Sequence, residues 1–208
     1  KIVGGSLFTF TDVAPMAAAV DRACASGESE PFVARSLGRT EATGYGTVFF
    51  AQEMLGAIGQ SLDGKRVVVS GSGNVAIYAI EKVHELGGTV VACSDSSGYV
   101  VDEKGIDLDL PLGKLNVITG PDLELLKDVK EVRRGRLSDY AADRGPGCRY
   151  VSGGSIWDVP CQVALPCATQ NELPESAARA LLANGVELVA EGANMPTTPA
   201  AVALFQTA

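Results

Sequence analysis

The stretch that decides the fold is Lys65-Arg66-Val67-Val68-Val69-Ser70-Gly71-Ser72-Gly73-Asn74-Val75-Ala76. A short β-branched run leads into Gly-Ser-Gly-Asn-Val-Ala, and apolar residues then recur at helical spacing as far as Leu86. This order of strand, glycine turn and helix is the context in which the pattern G-x-G-x-x-G/A binds the pyrophosphate of a dinucleotide. The stretch therefore predicts the first unit of a dinucleotide-binding fold.

Each small residue of this turn has a physical role in such a fold. Gly71 allows the sharp turn, and Gly73 has no Cβ, so a pyrophosphate can approach the backbone. Ala76 is small enough for the helix to lie close to the strand. The free N–H groups at the start of the helix, together with the positive end of its dipole, favour phosphate charge.

A second apolar run, Thr89–Cys93, follows the predicted helix and leads to Asp95, 24 positions after Gly71. Dinucleotide-binding folds place the acid that bonds the ribose near this distance. A glycine-rich hairpin or a plain helix entry is the alternative interpretation of an isolated G-x-G-x-x-A. Here the flanking strand, the periodic helix, the second strand and the acid agree, which favours the dinucleotide interpretation.

The composition is that of a globular chain with an acidic surface. Of its 208 residues 46% are hydrophobic and 20% are charged, which allows a packed core without disulfides or metal. The net charge of −8 argues against nucleic acid and anionic membranes as partners, since both bind basic faces. No apolar run reaches the length of a membrane span and no signal-peptide pattern opens the chain, so we expect a cytoplasmic protein.

Cysteine and histidine offer little chemistry. The five cysteines follow no C-x-x-C spacing, so we expect free thiols in a reducing compartment. His84 is the single histidine and lies inside a predicted helix, which argues against a zinc site. A histidine-based catalytic triad is excluded unless His84 itself supplies the base. We therefore predict no metal site.

Alternating strand and helix patterns run through residues 39–208 and predict one dinucleotide-binding domain. The order indicates an α/β fold with a Rossmann-like, doubly wound and mostly parallel sheet that has helices on both faces. Helices are predicted at 43–58, 75–86, 122–132, 137–144, 174–182 and 198–205, and strands at 65–69, 89–93, 99–102, 148–151, 163–166 and 186–190.

Residues 1–38 are assigned to an N-terminal segment, which the family resemblance described below does not clearly cover. Helical spacing over 12–24 is followed by a polar loop at 25–31, and a further loop is predicted at 107–116. Three polar loops of the domain, at 71–76, 167–172 and 191–194, each follow a predicted strand. Because the carboxyl ends of parallel strands share one edge, these loops are predicted to converge on a ligand-binding rim.

Five motifs, in order, resemble those of one enzyme family. They are TEATGYG (40–46), SGSGNVA (70–76), SDSSG (94–98), ALPCATQNE (164–172) and AEGANMPTT (190–198). Over about residues 39–208 the chain resembles the cofactor-binding domain of hexameric glutamate dehydrogenases, in their NADP-preferring bacterial and fungal branch. The resemblance implies a whole protein that is a homo-hexamer and reversibly converts glutamate to 2-oxoglutarate and ammonium with a nicotinamide cofactor.

The resemblance also implies binding roles, which position a cofactor and involve no proton chemistry. The residues that would hold the pyrophosphate are Gly71, Ser72, Gly73, Asn74 and Val75. Those that would face the adenosine ribose are Asp95 and Ser96. Those on the nicotinamide side would be Thr43 at a helix entry, the wall Ala168, Thr169 and Gln170, and Asn194 at the carboxamide.

The chain departs from the family pattern in a way that bears on activity. The family's catalytic lysine lies in a Gly-Gly-x-Lys-Gly-Gly segment of the substrate domain, with an aspartate further on, and this sequence has no such segment. We therefore expect a fragment or an engineered domain that binds cofactor but has no catalytic residue. It would meet 2-oxoglutarate or glutamate only with the missing substrate domain.

Two alternatives to this assignment stay open. One is a non-catalytic Rossmann-fold binding module, and the other is the matching domain of another amino acid dehydrogenase, of the leucine or phenylalanine type. The Ala-Thr-Gln-Asn-Glu loop favours the glutamate branch.

The choice between NADP and NAD depends on two opposing features. Asp95 alone favours NAD, because an acid at this position bonds a 2′-hydroxyl and repels a 2′-phosphate. Ser96 and Ser97 can instead donate to phosphate oxygens, and a basic cluster follows, composed of Lys130, Arg133, Arg134 and Arg136. A solvated helix end is the alternative interpretation of that cluster. Because Lys130 with Arg133 or Arg136 resemble residues that reach the 2′-phosphate in the family, we predict NADP, with NAD less favoured.

Overall fold

The structure, a computed structural model, describes residues 2–4, 41–102 and 121–208. The features predicted at 12–24, 25–31 and 107–116 lie outside these residues. Within the described residues, seven strands form one sheet in the order β1-β7-β6-β2-β3-β4-β5. The strands are β1 (Ile2–Gly4), β2 (Arg66–Val69), β3 (Thr89–Asp95), β4 (Gly98–Asp102), β5 (Cys148–Ser152), β6 (Val163–Leu165) and β7 (Leu188–Ala190).

The sheet is mostly parallel, as predicted. From β1 to β3 in the sheet order all neighbours pair in parallel, whereas β4 pairs antiparallel with both β3 and β5. The central strand β2 is covered on both faces, since Val67, Val68 and Val69 have no exposed surface. Such continuous apolar runs are typical of buried parallel strands. Burying each valine side chain contributes roughly 1.5–3 kcal/mol.

Helices lie on both faces of the sheet, which confirms the doubly wound α/β architecture. They are α1 (Ala42–Gly56), α2 (Asn74–Glu85), α3 (Pro121–Lys127), α4 (Leu137–Arg144), α5 (Glu175–Ala183) and α6 (Pro199–Thr207). Helices α1 to α4 share one hydrophobic core with Val67 and Val69. Helices α5 and α6 share the other core with Val68 and Trp157, because successive strand residues point to opposite faces.

Several predicted elements differ from those of the structure. Strand β1 and a short 3₁₀ helix at Ile156–Asp158 are missing from the sequence-based assignment. The helix predicted over 122–132 is α-helical only as far as Lys127 and continues as a π-helical turn over Asp128–Val132. The last strand begins at residue 188 rather than 186, because the Val186 N–H donates to Leu181 O (3.0 Å) at the end of α5.

The thiols agree with the sequence-based expectation in the part of the chain that the structure describes. Four cysteines there are free, and Cys93, Cys161 and Cys167 are buried. Burial raises the pKa of each of these three thiols, so they act as small apolar side chains. Among the described helices, none has the length and apolarity needed to cross a membrane.

Close contact between α1 and α2 depends on Gly44. A Cβ on Gly44 would lie 2.7 Å from Val75 O and 2.8 Å from Ala79 N, which are backbone atoms that cannot move aside alone. We expect Gly44→Ala to lower the unfolding free energy, because overpacking costs about 1–3 kcal/mol and the better helix propensity of alanine returns about 1 kcal/mol. The measurement is denaturant unfolding of both proteins.

Gly46 in the same helix provides the matched control. A Cβ on Gly46 would meet no atom within 4 Å. Gly46→Ala should therefore be neutral or stabilise by about 0.5–1 kcal/mol. Equal changes in unfolding free energy for the two substitutions would show that the contact between α1 and α2 does not restrict the size of the residue at position 44.

Candidate functional site

The glycine turn joins β2 to α2 as its sequence pattern predicts. Gly71 has φ +88°, a left-handed conformation that favours glycine, and its N–H donates to Ser94 Oγ (2.9 Å). Gly73 stands directly before α2, and a Cβ there would meet nothing within 4 Å. The space in front of Gly73 is thus open to a ligand, at the N-terminus of a helix of 12 residues.

The three polar loops at the carboxyl ends of β2, β6 and β7 lie together, which confirms the predicted convergence. A Cβ on Gly71 would come within 3.2 Å of Ala168 Cα, and one on Gly192 would come within 2.6 Å of Cys167 Sγ. Pro166 O accepts the N–H groups of Gly192 (2.8 Å) and Ala193 (2.9 Å). The loops after β6 and β7 are therefore fixed to each other and to the glycine turn.

A buried polar network connects two of these loops. Ser70, at the end of β2, is 1% exposed, and its Oγ accepts the N–H groups of Cys167 (2.8 Å) and Ala168 (3.3 Å). Glu172 Oε1 accepts the N–H groups of Ala168 (3.0 Å) and Thr169 (3.2 Å). The Ser70 hydroxyl also acts on the Glu172 carboxyl group, whose pKa it lowers. Neither Ser70 nor Glu172 belongs to the residues predicted for the site.

Burial determines the ionisation of Glu172. Desolvation raises the pKa of its carboxyl group, and the hydrogen bonds from Ser70 and from the Ala168 and Thr169 amides partly oppose that rise. The carboxylate is thus held by donors at the floor of the loop.

The end of β3 holds a second polar group. Asp95 Oδ1 accepts the N–H groups of Ser97 (2.8 Å) and Gly98 (3.2 Å), and Oδ2 accepts the N–H of Leu137 (3.0 Å) at the start of α4. Beside it, Arg136 Nη1 donates to Ser96 Oγ (2.7 Å), and both side chains are exposed. The Asp95 carboxylate is therefore engaged by three backbone amides, while a guanidinium lies next to Ser96.

The other basic side chains of this region have different partners. Arg133 forms ion pairs with Asp128 (2.7 Å) and Asp143 (2.7 Å), and the bonds to these acids raise the pKa of its guanidinium. Lys130 Nζ donates to Gly135 O (3.0 Å). The structure thus brings Arg136, rather than Arg133, against the residues that follow β3.

Twelve of the fourteen predicted site residues lie at the rim in two groups, and Lys130 and Arg133 belong to neither. The first surrounds the glycine turn and the loops after β6 and β7, and comprises Thr43, Gly71, Ser72, Gly73, Asn74, Val75, Ala168, Thr169, Gln170 and Asn194. Thr43 lies in the first turn of α1, next to Gly44, which packs against α2 at Val75. The second group is Asp95 and Ser96, and Ser94 connects it to Gly71. The exposed members include Gly73, Gln170 and Asn194, so their surfaces are open to a ligand.

Sequence reasoning missed Ser70, Ser94 and Glu172, and it gave Arg136 only as an alternative. The available signal for Ser70 and Ser94 was a hydroxyl directly after, or near the end of, an apolar strand. For Glu172 it was a single acid in a polar loop. Neither signal identifies a hydrogen-bond partner.

A cleft of about 400 Å³ adjoins the first group at Gln170. It lies between the loops after β6 and β7 and the outer side of α6, and not over the glycine turn. Its walls include Asn171 and Met195 on one side and Val202 and Gln206 on the other. In the described ranges, no three His, Cys, Asp or Glu side chains are grouped so as to hold a metal ion.

Comparison with known proteins places this arrangement in a family. A family model described as Glutamate/Leucine/Phenylalanine/Valine dehydrogenase matches residues 36–208. The NADP-specific glutamate dehydrogenase of Escherichia coli (strain K12) is 52% identical over 173 residues, which are 83% of this chain and 36% of that protein. The NAD(P)-specific glutamate dehydrogenase of Xylanibacter ruminicola is 49% identical over the same number of residues, with the same shares covered.

A solved structure agrees. The glutamate dehydrogenase of Plasmodium falciparum matches with a TM-score of 0.73 at 40% identity, over 82% of this chain and 34% of that one. The chain spans about a third of the length of the curated relatives it matches. Because the family model covers most of the sequence and the fold agrees, the chain belongs to the Glutamate/Leucine/Phenylalanine/Valine dehydrogenase family.

Proposed function

We propose that residues 39–208 are the dinucleotide-binding domain of a glutamate dehydrogenase and that they bind NADP. The single observation that carries this proposal is the open face of Gly73, which lies at the N-terminus of α2 and beside two loops that are fixed to the glycine turn. An open backbone at a helix N-terminus fits a pyrophosphate, because free N–H groups and the helix dipole favour its charge.

The residues of the rim would position the cofactor along the sheet edge. Gly71 to Val75 would hold the pyrophosphate, and Asp95 with Ser96 would face the adenosine ribose. Ala168, Thr169 and Gln170 would flank the nicotinamide ribose, with Thr43 and Asn194 at the nicotinamide itself. When bound, the nicotinamide supplies hydride transfer, and these side chains contribute orientation rather than proton transfer.

Two contacts support NADP over NAD. The Asp95 carboxylate already accepts three backbone N–H bonds, which leaves it less available for a ribose 2′-hydroxyl. Arg136 lies against Ser96, so both can donate to a 2′-phosphate. The name of one relative, NADP-specific, points in the same direction, whereas the name of the other, NAD(P)-specific, favours neither cofactor.

The whole protein would be a cytoplasmic homo-hexamer that interconverts glutamate and 2-oxoglutarate. Residues 1–38 would form an N-terminal segment, of which Ile2–Gly4 joins the sheet beside β7. The substrate would be held by a domain outside this chain. The support is the family membership, the glutamate dehydrogenase names of the relatives and the third of their length that the chain spans.

Binding is tested by titrating the 208-residue chain with NADPH and following thermal unfolding. A specific site should stabilise the fold by about 2.7 kcal/mol at a hundredfold excess over Kd. For a chain of this size that is a rise of roughly 5–10 °C in Tm. An unchanged Tm across millimolar NADPH would favour the alternative, a binding module that kept the fold without the site.

Turnover is expected to be absent from this chain alone. We expect no measurable initial rate with 2-oxoglutarate, ammonium and NADPH, because the sequence contains no Gly-Gly-x-Lys-Gly-Gly segment. A normal rate from the purified chain would contradict the assignment of the catalytic groups to another domain. A rate with the oxoacids of leucine or phenylalanine, and none with 2-oxoglutarate, would favour a different branch of the family.

A further inference from the structure

We propose that Glu172 is a positioning residue that holds the loop Ala168 to Gln170, the nicotinamide-side wall of the site, in the shape that receives the dinucleotide. This inference rests on the proposed function. It assigns a role to a side chain that lies under the wall and is not among the residues expected to touch the cofactor.

The geometry places Glu172 at the centre of the loop's hydrogen bonds. A single carboxylate oxygen accepts the N–H groups of Ala168 (3.0 Å) and Thr169 (3.2 Å), two consecutive amides of the wall. On the other side, the backbone oxygen of Glu172 accepts Trp157 Nε1–H (3.1 Å), and Trp157 is only 3% exposed. Glu172 is thus fixed by the buried core and in turn fixes the loop above it.

Ser70 extends this control to the glycine turn. Its Oγ accepts the N–H groups of Cys167 (2.8 Å) and Ala168 (3.3 Å), and the same Ala168 N–H donates to Glu172 Oε1 (3.0 Å). Ser70 is followed by Gly71, where a Cβ would lie 3.2 Å from Ala168 Cα. The spacing between the pyrophosphate turn and the nicotinamide wall therefore depends on Ala168, whose N–H is shared between Ser70 and Glu172.

The charge of Glu172 is balanced by these donors. Among the residues that the structure describes, no lysine or arginine forms an ion pair with it, and burial raises the pKa of its carboxyl group. A partly buried carboxylate needs hydrogen-bond donors when no cation is near, so the loop amides and the Ser70 hydroxyl are drawn to it. Truncation would leave the Thr169 N–H without its acceptor and the Ala168 N–H with only the longer bond to Ser70 Oγ (3.3 Å).

The predicted effect is confined to one half of the cofactor. The adenosine side is built from Asp95, Ser96 and Arg136, whose hydrogen bonds do not include Glu172. Loss of the carboxylate should therefore weaken binding of NADPH and leave adenosine 2′,5′-bisphosphate, which lacks the nicotinamide half, almost unaffected. A general structural defect would raise the Kd for both ligands by the same factor.

The test uses the 208-residue chain with Glu172→Ala and the isosteric Glu172→Gln, and isothermal titration with each ligand. We expect E172A to raise the Kd for NADPH roughly tenfold, as expected for lost hydrogen bonds to a charged group, and the Kd for adenosine 2′,5′-bisphosphate less than twofold. E172Q should fall between wild type and E172A, because an amide oxygen can still accept the two loop amides.

Glu175→Ala is the matched control, since Glu175 is exposed three positions further on and pairs with Arg179 (2.6 Å) on α5. It should change neither Kd by more than twofold. The proposal is overturned if E172A raises the Kd for NADPH less than threefold more than it raises the Kd for adenosine 2′,5′-bisphosphate. If E172A does not fold, E172Q takes its place, and the proposal is overturned if this ratio of Kd changes is no larger for E172Q than for E175A. If the wild-type chain binds adenosine 2′,5′-bisphosphate but not NADPH, or neither ligand, the proposed function itself is wrong.

Discussion

Gly73→Val is expected to abolish dinucleotide binding while the fold survives. The φ and ψ of Gly73, −91° and −169°, lie in the extended region that valine adopts readily, and a Cβ there meets no protein atom within 4 Å. The added side chain therefore projects into the space that the proposed pyrophosphate needs. The rise in Tm with NADPH should vanish, whereas the unliganded Tm should move by no more than about 2–4 °C, equivalent to about 1 kcal/mol for a changed N-cap residue.

Gly71→Ala is the contrasting substitution in the same turn. Gly71 has φ +88°, and a Cβ would lie 3.2 Å from Ala168 Cα and 3.4 Å from Cys167 O. We expect a loss of about 1–3 kcal/mol in unfolding free energy, since the backbone would be strained and the loop after β6 would be displaced. If G73V keeps the NADPH response, or if it destabilises the unliganded chain as much as G71A does, the pyrophosphate does not pass Gly73.

The glycine turn could be predicted because its information is local. Strand, turn and helix occupy residues 65–86, and each glycine is required by the backbone conformation of its own position or by the space in front of it. The mostly parallel pairing of the sheet also followed from local patterns, because buried apolar strands separated by helices pair in parallel. Strand β1 could not be found, since its pairing partner β7 lies at the other end of the chain.

The polar contacts of the site could not be predicted because they join distant positions. Ser70 accepts a hydrogen bond from Ala168, 98 positions away, and Asp95 accepts one from Leu137, 42 positions away. Sequence patterns indicate that an acid follows a strand, but not which amides it meets once the sheet is assembled. The sequence therefore indicates only a ribose ligand at Asp95. It does not show that the Asp95 carboxylate accepts the backbone N–H groups of Ser97, Gly98 and Leu137.

The partners of the basic cluster were likewise hidden in the sequence. From sequence alone, Lys130 and Arg133 were assigned to the 2′-phosphate, with Arg136 as an alternative. In the structure the Arg133 guanidinium is occupied by two carboxylates, Asp128 and Asp143. Arg136 instead donates to Ser96 Oγ (2.7 Å), next to the residue that would face the adenosine ribose. We therefore place the 2′-phosphate contact at Arg136.

Arg136→Gln is expected to weaken the binding of NADPH and to leave the binding of NADH almost unchanged. A hydrogen bond from a guanidinium to a phosphate contributes about 1.5–3 kcal/mol, so the Kd for NADPH should rise roughly tenfold to a hundredfold. The Kd for NADH should change less than twofold, because NADH carries no phosphate at that position. Titrations of wild type and variant with both cofactors measure the ratio of variant to wild-type Kd for each. Rising salt should narrow the difference between the Kd for NADPH and the Kd for NADH in the wild type.

Arg133→Gln provides the control, since it removes an equally exposed arginine from the same segment. Its guanidinium already has two anionic partners, so we expect less than a threefold change in the Kd for NADPH. A larger rise in the Kd for NADPH with R133Q than with R136Q would show that the 2′-phosphate contacts Arg133, as the sequence indicates. If the wild-type chain binds NADH as tightly as NADPH, neither arginine contacts the 2′-phosphate. The Asp95 carboxylate would then bond the ribose 2′-hydroxyl of NAD after releasing the Leu137 N–H.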